Sequence, residues 1–121
     1  MLDVFITVDV EIWCDGWHDL DARFSGAFER YVHGPTASGP YGLPHLLAVL
    51  GDHGLAGNFF VEPLFSARFG AQPLAEIVGL IRQARQEIQL HLHTEWVDES
   101  LTPLLGEVRG KRQHLRHFSL D

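Results

Sequence analysis

The sequence predicts an α/β fold of parallel βαβ units, and three observations carry the prediction. Short apolar runs at Val4-Phe5-Ile6, Asn58-Phe59-Phe60-Val61 and Glu87-Ile88-Gln89-Leu90 alternate with segments of helical periodicity. The first run is apolar at both alternating sets of positions, as expected of a strand covered on both sides. Polar clusters follow the first and third runs directly, at the strand ends where parallel α/β folds place their chemistry.

Each element follows from its residues. Residues 3–9 read as the first strand, with Val4, Ile6 and Val8 on one face and Phe5 and Thr7 on the other. From Trp13 to Gly42 no period is clean, and Gly34-Pro35 and Ser38-Gly39-Pro40-Tyr41-Gly42 predict mostly irregular structure. A loop of that length in a compact domain is usually functional or disordered, and the aromatic residues Trp13, Trp17 and Phe24 favour function. Leu43 to His53 is an amphipathic helix, with Leu43, Leu46, Leu47 and Leu50 at helical spacing and Gly54 as its stop. Asn58 to Val61 makes the second strand, and a short helix is expected between Pro63 and Phe69. Pro73 opens a longer helix with Leu74, Ile77, Val78 and Ile81 as its buried stripe. Arg82 and Arg85 near its end complement the helix dipole. Glu87 to Leu92 is the third strand.

Composition narrows the function classes. A chain of 121 residues, 45% hydrophobic, is one domain with enough apolar content for a core. Nine basic against 16 acidic residues give a formal charge of -7, which argues against a nucleic-acid surface. Arg109, Lys111, Arg112 and Arg116 gather near the end and read as a solvated face. No apolar run approaches the roughly 20 residues of a membrane span. Met1-Leu2-Asp3 passes straight into a strand with no visible signal peptide. Cys14 is the single cysteine, which excludes an internal disulfide and suits a reducing compartment, so a cytoplasmic location is expected.

The two polar clusters are the chemical signal. Asp9 and Glu11, in Thr7-Val8-Asp9-Val10-Glu11, point the same way from a strand and lie about 6–7 Å apart along it. His91 and His93, in His91-Leu92-His93-Thr94-Glu95, also share a face. Two carboxylates and two imidazoles are the donor set of a divalent metal site with a base beside it. Trp13, Trp17 and Trp96 are candidates for a sugar-stacking wall, with hydrophobic lids as their alternative role. His18, His33, His45 and His53 read as surface or loop residues, and Cys14 has no obvious base to make it a nucleophile.

The acidic motif at a strand end, followed by Asn58-Phe59-Phe60-Val61-Glu62 and a later histidine motif, resembles the polysaccharide deacetylase family of NodB-homology domains. That resemblance implies a distorted (β/α) barrel that removes acyl groups from N-acylated carbohydrates or related amides using a divalent metal, often zinc. Thr7-Val8-Asp9-Val10-Glu11 is similar to the Asp-Val-Glu form of the family's first motif. It implies Asp9 as general base and Glu11 as acidic metal ligand. The family's second motif spaces two metal-binding histidines four residues apart; His91 matches the first, but Glu95 stands at the second. Either Glu95 replaces that histidine or His93 serves from two residues along. His91 with His93 is the preferred pair, with Glu95 as ligand or outer partner. The resemblance covers most of residues 3–97, and the family's later motifs would lie beyond Asp121. The chain is therefore expected to be a single, incomplete domain, with His114 and His117 only nominally able to replace those motifs.

Three other readings compete with the deacetylase. A catalytically incomplete fragment would bind metal or carbohydrate without turnover. An amidohydrolase-like metalloenzyme usually carries His-x-His after its first strand, not its third. A glycoside hydrolase would need its carboxylate pair on different elements, unlike Asp9 and Glu11. Part of a barrel would also expose apolar strand edges, so self-association, or association with the remainder of the domain, is expected.

Overall fold

A computed structural model of the chain describes residues 1–106 and 110–118. Arg109 and the Ser119-Leu120-Asp121 end, in which the sequence suggests the start of a helix, lie outside the described residues. The fold is mixed α/β around a parallel sheet of three strands, β1 (Thr7–Val10), β4 (Asn58–Val61) and β5 (Glu87–Leu90), in the order β1-β4-β5. These three strands do not close a barrel. Between β1 and β4 the chain forms helix α1 (Leu20–Phe28), a π-helical turn (Glu29–His33), the small hairpin β2 (Pro35–Thr36) and β3 (Gly39–Pro40), and helix α2 (Leu43–Asp52). Helices α3 (Ser66–Phe69) and α4 (Ala71–Gln83) connect β4 to β5.

Register is what positions the site. Val10 pairs with Val61, and Val61 with Leu90, so the three strands end at one level. Pairing runs one residue further, since the Glu62 N–H donates to Val10 O at 3.0 Å and the His91 N–H to Val61 O at 3.0 Å. Glu11, Glu62 and His91 therefore stand side by side as the first residues past three neighbouring strands. Successive residues alternate between faces, so these three share the face of Asp9, Phe60 and Gln89.

The helices cover the opposite face only. Val10, Phe59 and Val61 are buried in one cluster with Leu43, Leu47 and Leu50 of α2 and Ile77 and Ile81 of α4. Each such side chain contributes roughly 1.5–3 kcal/mol on burial. The other face carries Thr7, Asp9, Glu87 and Gln89, all exposed. This corrects the expectation of a first strand covered on both sides: Phe5 is 79% exposed, and strand pairing begins only at Thr7. The third strand is also shorter than expected, ending at Leu90 rather than Leu92. Leu90 and Leu92 are exposed on this edge.

The segment from Trp13 to Gly42 differs most from its sequence reading. Leu20, Phe24 and Ala27 bury one side of α1, and Phe24 stacks on Phe69 with ring centroids 3.7 Å apart. A bidentate Arg68–Asp21 pair, at 3.0 and 2.8 Å, ties α1 to α3. The π-turn ends at Gly34, whose φ of 57° is left-handed and favours glycine. Gly42 crosses so close that a Cβ there would lie 2.2 Å from Val32 O. These two glycines let the hairpin fold back on the turn, with Tyr41 N–H donating to Gly34 O at 2.9 Å.

Candidate metal centre

Glu11 leaves the end of β1, while His91 and His93 leave the end of β5 in extended backbone. Their side chains converge. His91 Nε2 lies 3.0 Å from His93 Nε2 and 3.5 Å from Glu11 Oε2, and His93 Nε2 abuts the same Glu11 oxygen. All three atoms fall within 4.8 Å of one another, the separation needed for a shared metal ion. Ligands bound at 2.0–2.1 Å to a tetrahedral ion stand about 3.3 Å apart; His91 lies near that separation from His93 and from Glu11, while His93 and Glu11 stand closer together than that. The three side chains keep between 25 and 29% of their exposure, which leaves a path for an ion and a further ligand.

The two imidazoles touch each other and both approach the Glu11 carboxylate. Glu11 Oε2 is buried yet accepts no hydrogen bond of good geometry among the described residues. Two Nε2 atoms facing each other can share one proton at most, so one of them must present its lone pair. On the far side of His93, Nδ1 lies 3.9 Å from Glu95 Oε2. That separation is too long for a hydrogen bond, so Glu95 acts on His93 only through its charge. The donor chemistry therefore fits a divalent cation, with two imidazoles and one carboxylate holding it and an open position remaining.

The remaining predicted residues fall in different places. Glu95 is a partner of His93, outside the convergent group, which accords with its outer-partner alternative. Asp9 is exposed and also outside the group, but it lines the same cavity of 570 Å³ as Glu11, together with Tyr31, Tyr41 and His45. Trp13 sets its ring edge-on to His93 at 4.7 Å and so buttresses a ligand. Trp96 is 2% exposed, packed against Trp17 and Phe69, and offers no face for a sugar. The stacking-wall expectation therefore does not hold for Trp96. Burial pushes the Cys14 thiol up, contrary to what a nucleophile needs.

The basic tail also corrects the sequence reading. Arg112 is buried and pairs with Asp98 at 2.7 Å, and its carbonyl accepts from the Thr94 hydroxyl. Lys111 pairs with Glu99 and lies 3.9 Å above the Trp17 ring. These two cations clamp the 3₁₀ turn Thr94–Glu99 that follows His93; Arg116 alone among the described cations named for that solvated face is exposed without such a role.

Sequence reasoning gave Glu62 no role. It is fully buried, and burial pushes its carboxyl up to about 7 even though main-chain N–H groups and the nearby His91 favour its charged form. The available signal was its position, one residue past a strand, like Glu11 and His91.

Among the described residues no helix is long and apolar enough to cross a membrane. Comparison with protein-family models, with curated proteins and with solved structures finds no match to this chain.

Proposed function

We propose that this chain is a metal-dependent hydrolase of carbon–nitrogen bonds that removes the acyl group from an N-acylated carbohydrate or related amide. The convergence of Glu11 Oε2, His91 Nε2 and His93 Nε2 within 4.8 Å of one another carries the reading. The substrate class rests on the resemblance of Thr7–Glu11 and Asn58–Glu62 to the polysaccharide deacetylase motifs.

In this mechanism Glu11, His91 and His93 would hold the ion, with the Glu95 carboxylate beside His93. A divalent ion, zinc by preference, supplies the acidity that makes water a nucleophile near neutral pH and polarises the acyl carbonyl. Asp9, two residues before Glu11 on the same strand, accepts the proton of the attacking water. The cavity beside it, edged by Tyr31 and Tyr41, receives the substrate. The same donor set suits iron(II), so the identity of the ion is a result to be read from experiment.

A second reading, metal binding without turnover, is favoured by the exposure of Asp9 outside the ligand group. Acetate release from N-acetylglucosamine oligomers by the zinc-loaded chain separates the two. The hydrolase reading expects release that Asp9→Asn abolishes while metal stays bound, and that His91→Ala abolishes together with metal. Bound metal without release supports the second reading.

A further inference from the structure

The cavity beside the metal centre is apolar along most of its wall. Both faces of β1 line it, Val8 and Val10 from one and Asp9 and Glu11 from the other, so it runs along the strand's free edge. The facing wall is α2, through Leu43, Leu46 and Val49. Leu47 and Leu50 of that helix are buried in the core, whereas Val49 is 37% exposed. Tyr31 of the π-turn and Tyr41 after the hairpin form the rim, 42 and 57% exposed. Three exposed apolar or aromatic side chains thus gather at one cavity, where scattered ones would need no explanation.

The main chain adds a means of holding an amide. β1 lies at the edge of its sheet, with β4 as its neighbour. Ile6 O accepts from Asn58 N–H and Val10 O from Glu62 N–H. Alternate residues of a parallel strand bond to the same neighbour, so the Asp9 N–H and C=O turn toward the free edge, where the cavity lies. A secondary amide laid along that edge finds one donor and one acceptor, with two carboxylates beside it. Such an amide has two sides, and the wall discriminates between them. Carbohydrate hydroxyls against Leu46 and Val49 would lose hydrogen bonds to water, whereas methylenes gain by leaving it. At the roughly 30 Å³ that a water molecule occupies, 570 Å³ is far more room than an acetyl group fills.

We infer that this cavity is an acyl-chain subsite: the group removed is a medium-length alkyl acyl chain rather than acetyl, seated between β1 and α2 with its carbonyl toward the metal centre. The inference rests on the hydrolase reading above and names the side of the substrate that the cavity takes. The reaction is ordinary amide hydrolysis. The C–N bond breaks, the water oxygen joins the acyl carbon, one water proton goes to the leaving nitrogen and the other stays with the carboxylic acid.

N-acetyl-, N-butyryl- and N-hexanoylglucosamine, titrated into the metal-free chain by calorimetry and assayed as substrates of the zinc-loaded chain, read the outcome. Each added methylene is expected to tighten binding about twofold or more, so that the hexanoyl compound binds at least roughly tenfold more tightly than the acetyl one, with kcat/KM rising in step. Val49→Trp fills the cavity from a partly exposed position and is expected to erase this dependence. Leu46→Asn, which makes the wall polar at similar volume, serves if the tryptophan variant does not fold. Affinity and kcat/KM that ignore chain length, or a dependence that survives in the folded variant, would overturn the inference while leaving the hydrolase reading standing. Hydrolysis of none of the three compounds by the zinc-loaded chain would overturn the hydrolase reading, and the acyl subsite with it.

Discussion

The two arms of the metal centre are built to different standards. The β5 arm, carrying His91 and His93, is braced: Trp13 sets its ring against the His93 ring, and Glu95 lies 3.9 Å from its Nδ1. Lys111 and Arg112 clamp the turn beyond it. The β1 arm has little of this. Glu11 Oε2 meets only the two imidazoles, in contacts that are not well-formed hydrogen bonds, and Asp9 stands exposed on the uncovered face of the sheet. The contrast suits a division of labour in which preset imidazoles define the ion's place and carboxylates answer to the ion and substrate. Histidine rings need outer partners to choose a tautomer and an orientation, whereas a carboxylate oxygen accepts from many directions.

The largest effect that sharpens this contrast is expected at Asp9. On the proposed hydrolase reading, Asp9→Asn should lower hydrolysis by roughly 10²–10⁴-fold, the usual contribution of a general base. Metal content, by elemental analysis, should not change, and stability should move by less than about 0.5 kcal/mol because the residue is exposed. Loss of metal in that variant would put Asp9 among the ligands and erase the division.

On the braced arm, Arg112→Ala should destabilise the fold by about 3–5 kcal/mol in urea titrations, because it strands the Asp98 carboxylate, whose side chain is only 3% exposed. A change below about 1 kcal/mol would mean that the clamp is dispensable.

The pH dependence of the metal-free chain reports on Glu62. Burial pushes its folded carboxyl up to about 7 from the ordinary 4.5. The folded state therefore binds the proton more tightly than the unfolded state. Stability should fall as pH rises between 4.5 and 7 and level off above, by on the order of 3 kcal/mol. The difference between wild type and Glu62→Gln isolates the slope. A slope that survives the substitution would mean that Glu62 does not carry it. The smallest effect is expected for Glu95→Gln, which keeps a polar partner near His93 Nδ1 and should weaken zinc binding about tenfold.

The legible parts of this molecule are those with local periodicity. The leucines of α2 and the Ile77/Ile81 stripe of α4 announce helices, and the strand ends announce Glu11, His91 and His93. Alternation along a strand was enough to put both histidines on one side. The α1 and π-turn segment was illegible because Phe24, Ala27 and Val32 bury at an irregular spacing, and its path depends on two glycines that fit only in three dimensions. The open face of the sheet was misread because Phe5 looks like a strand residue until pairing is known to start at Thr7. Glu62, Lys111 and Arg112 were undervalued because a charged residue reveals itself as buried only through distant partners.

Metal stoichiometry tests the central claim most directly. The purified chain, supplied with zinc and dialysed, should retain one ion per chain by elemental analysis, and His91→Ala and Glu11→Ala should retain none. Equal retention in all three proteins, or none in the wild type, would contradict a centre built from Glu11, His91 and His93.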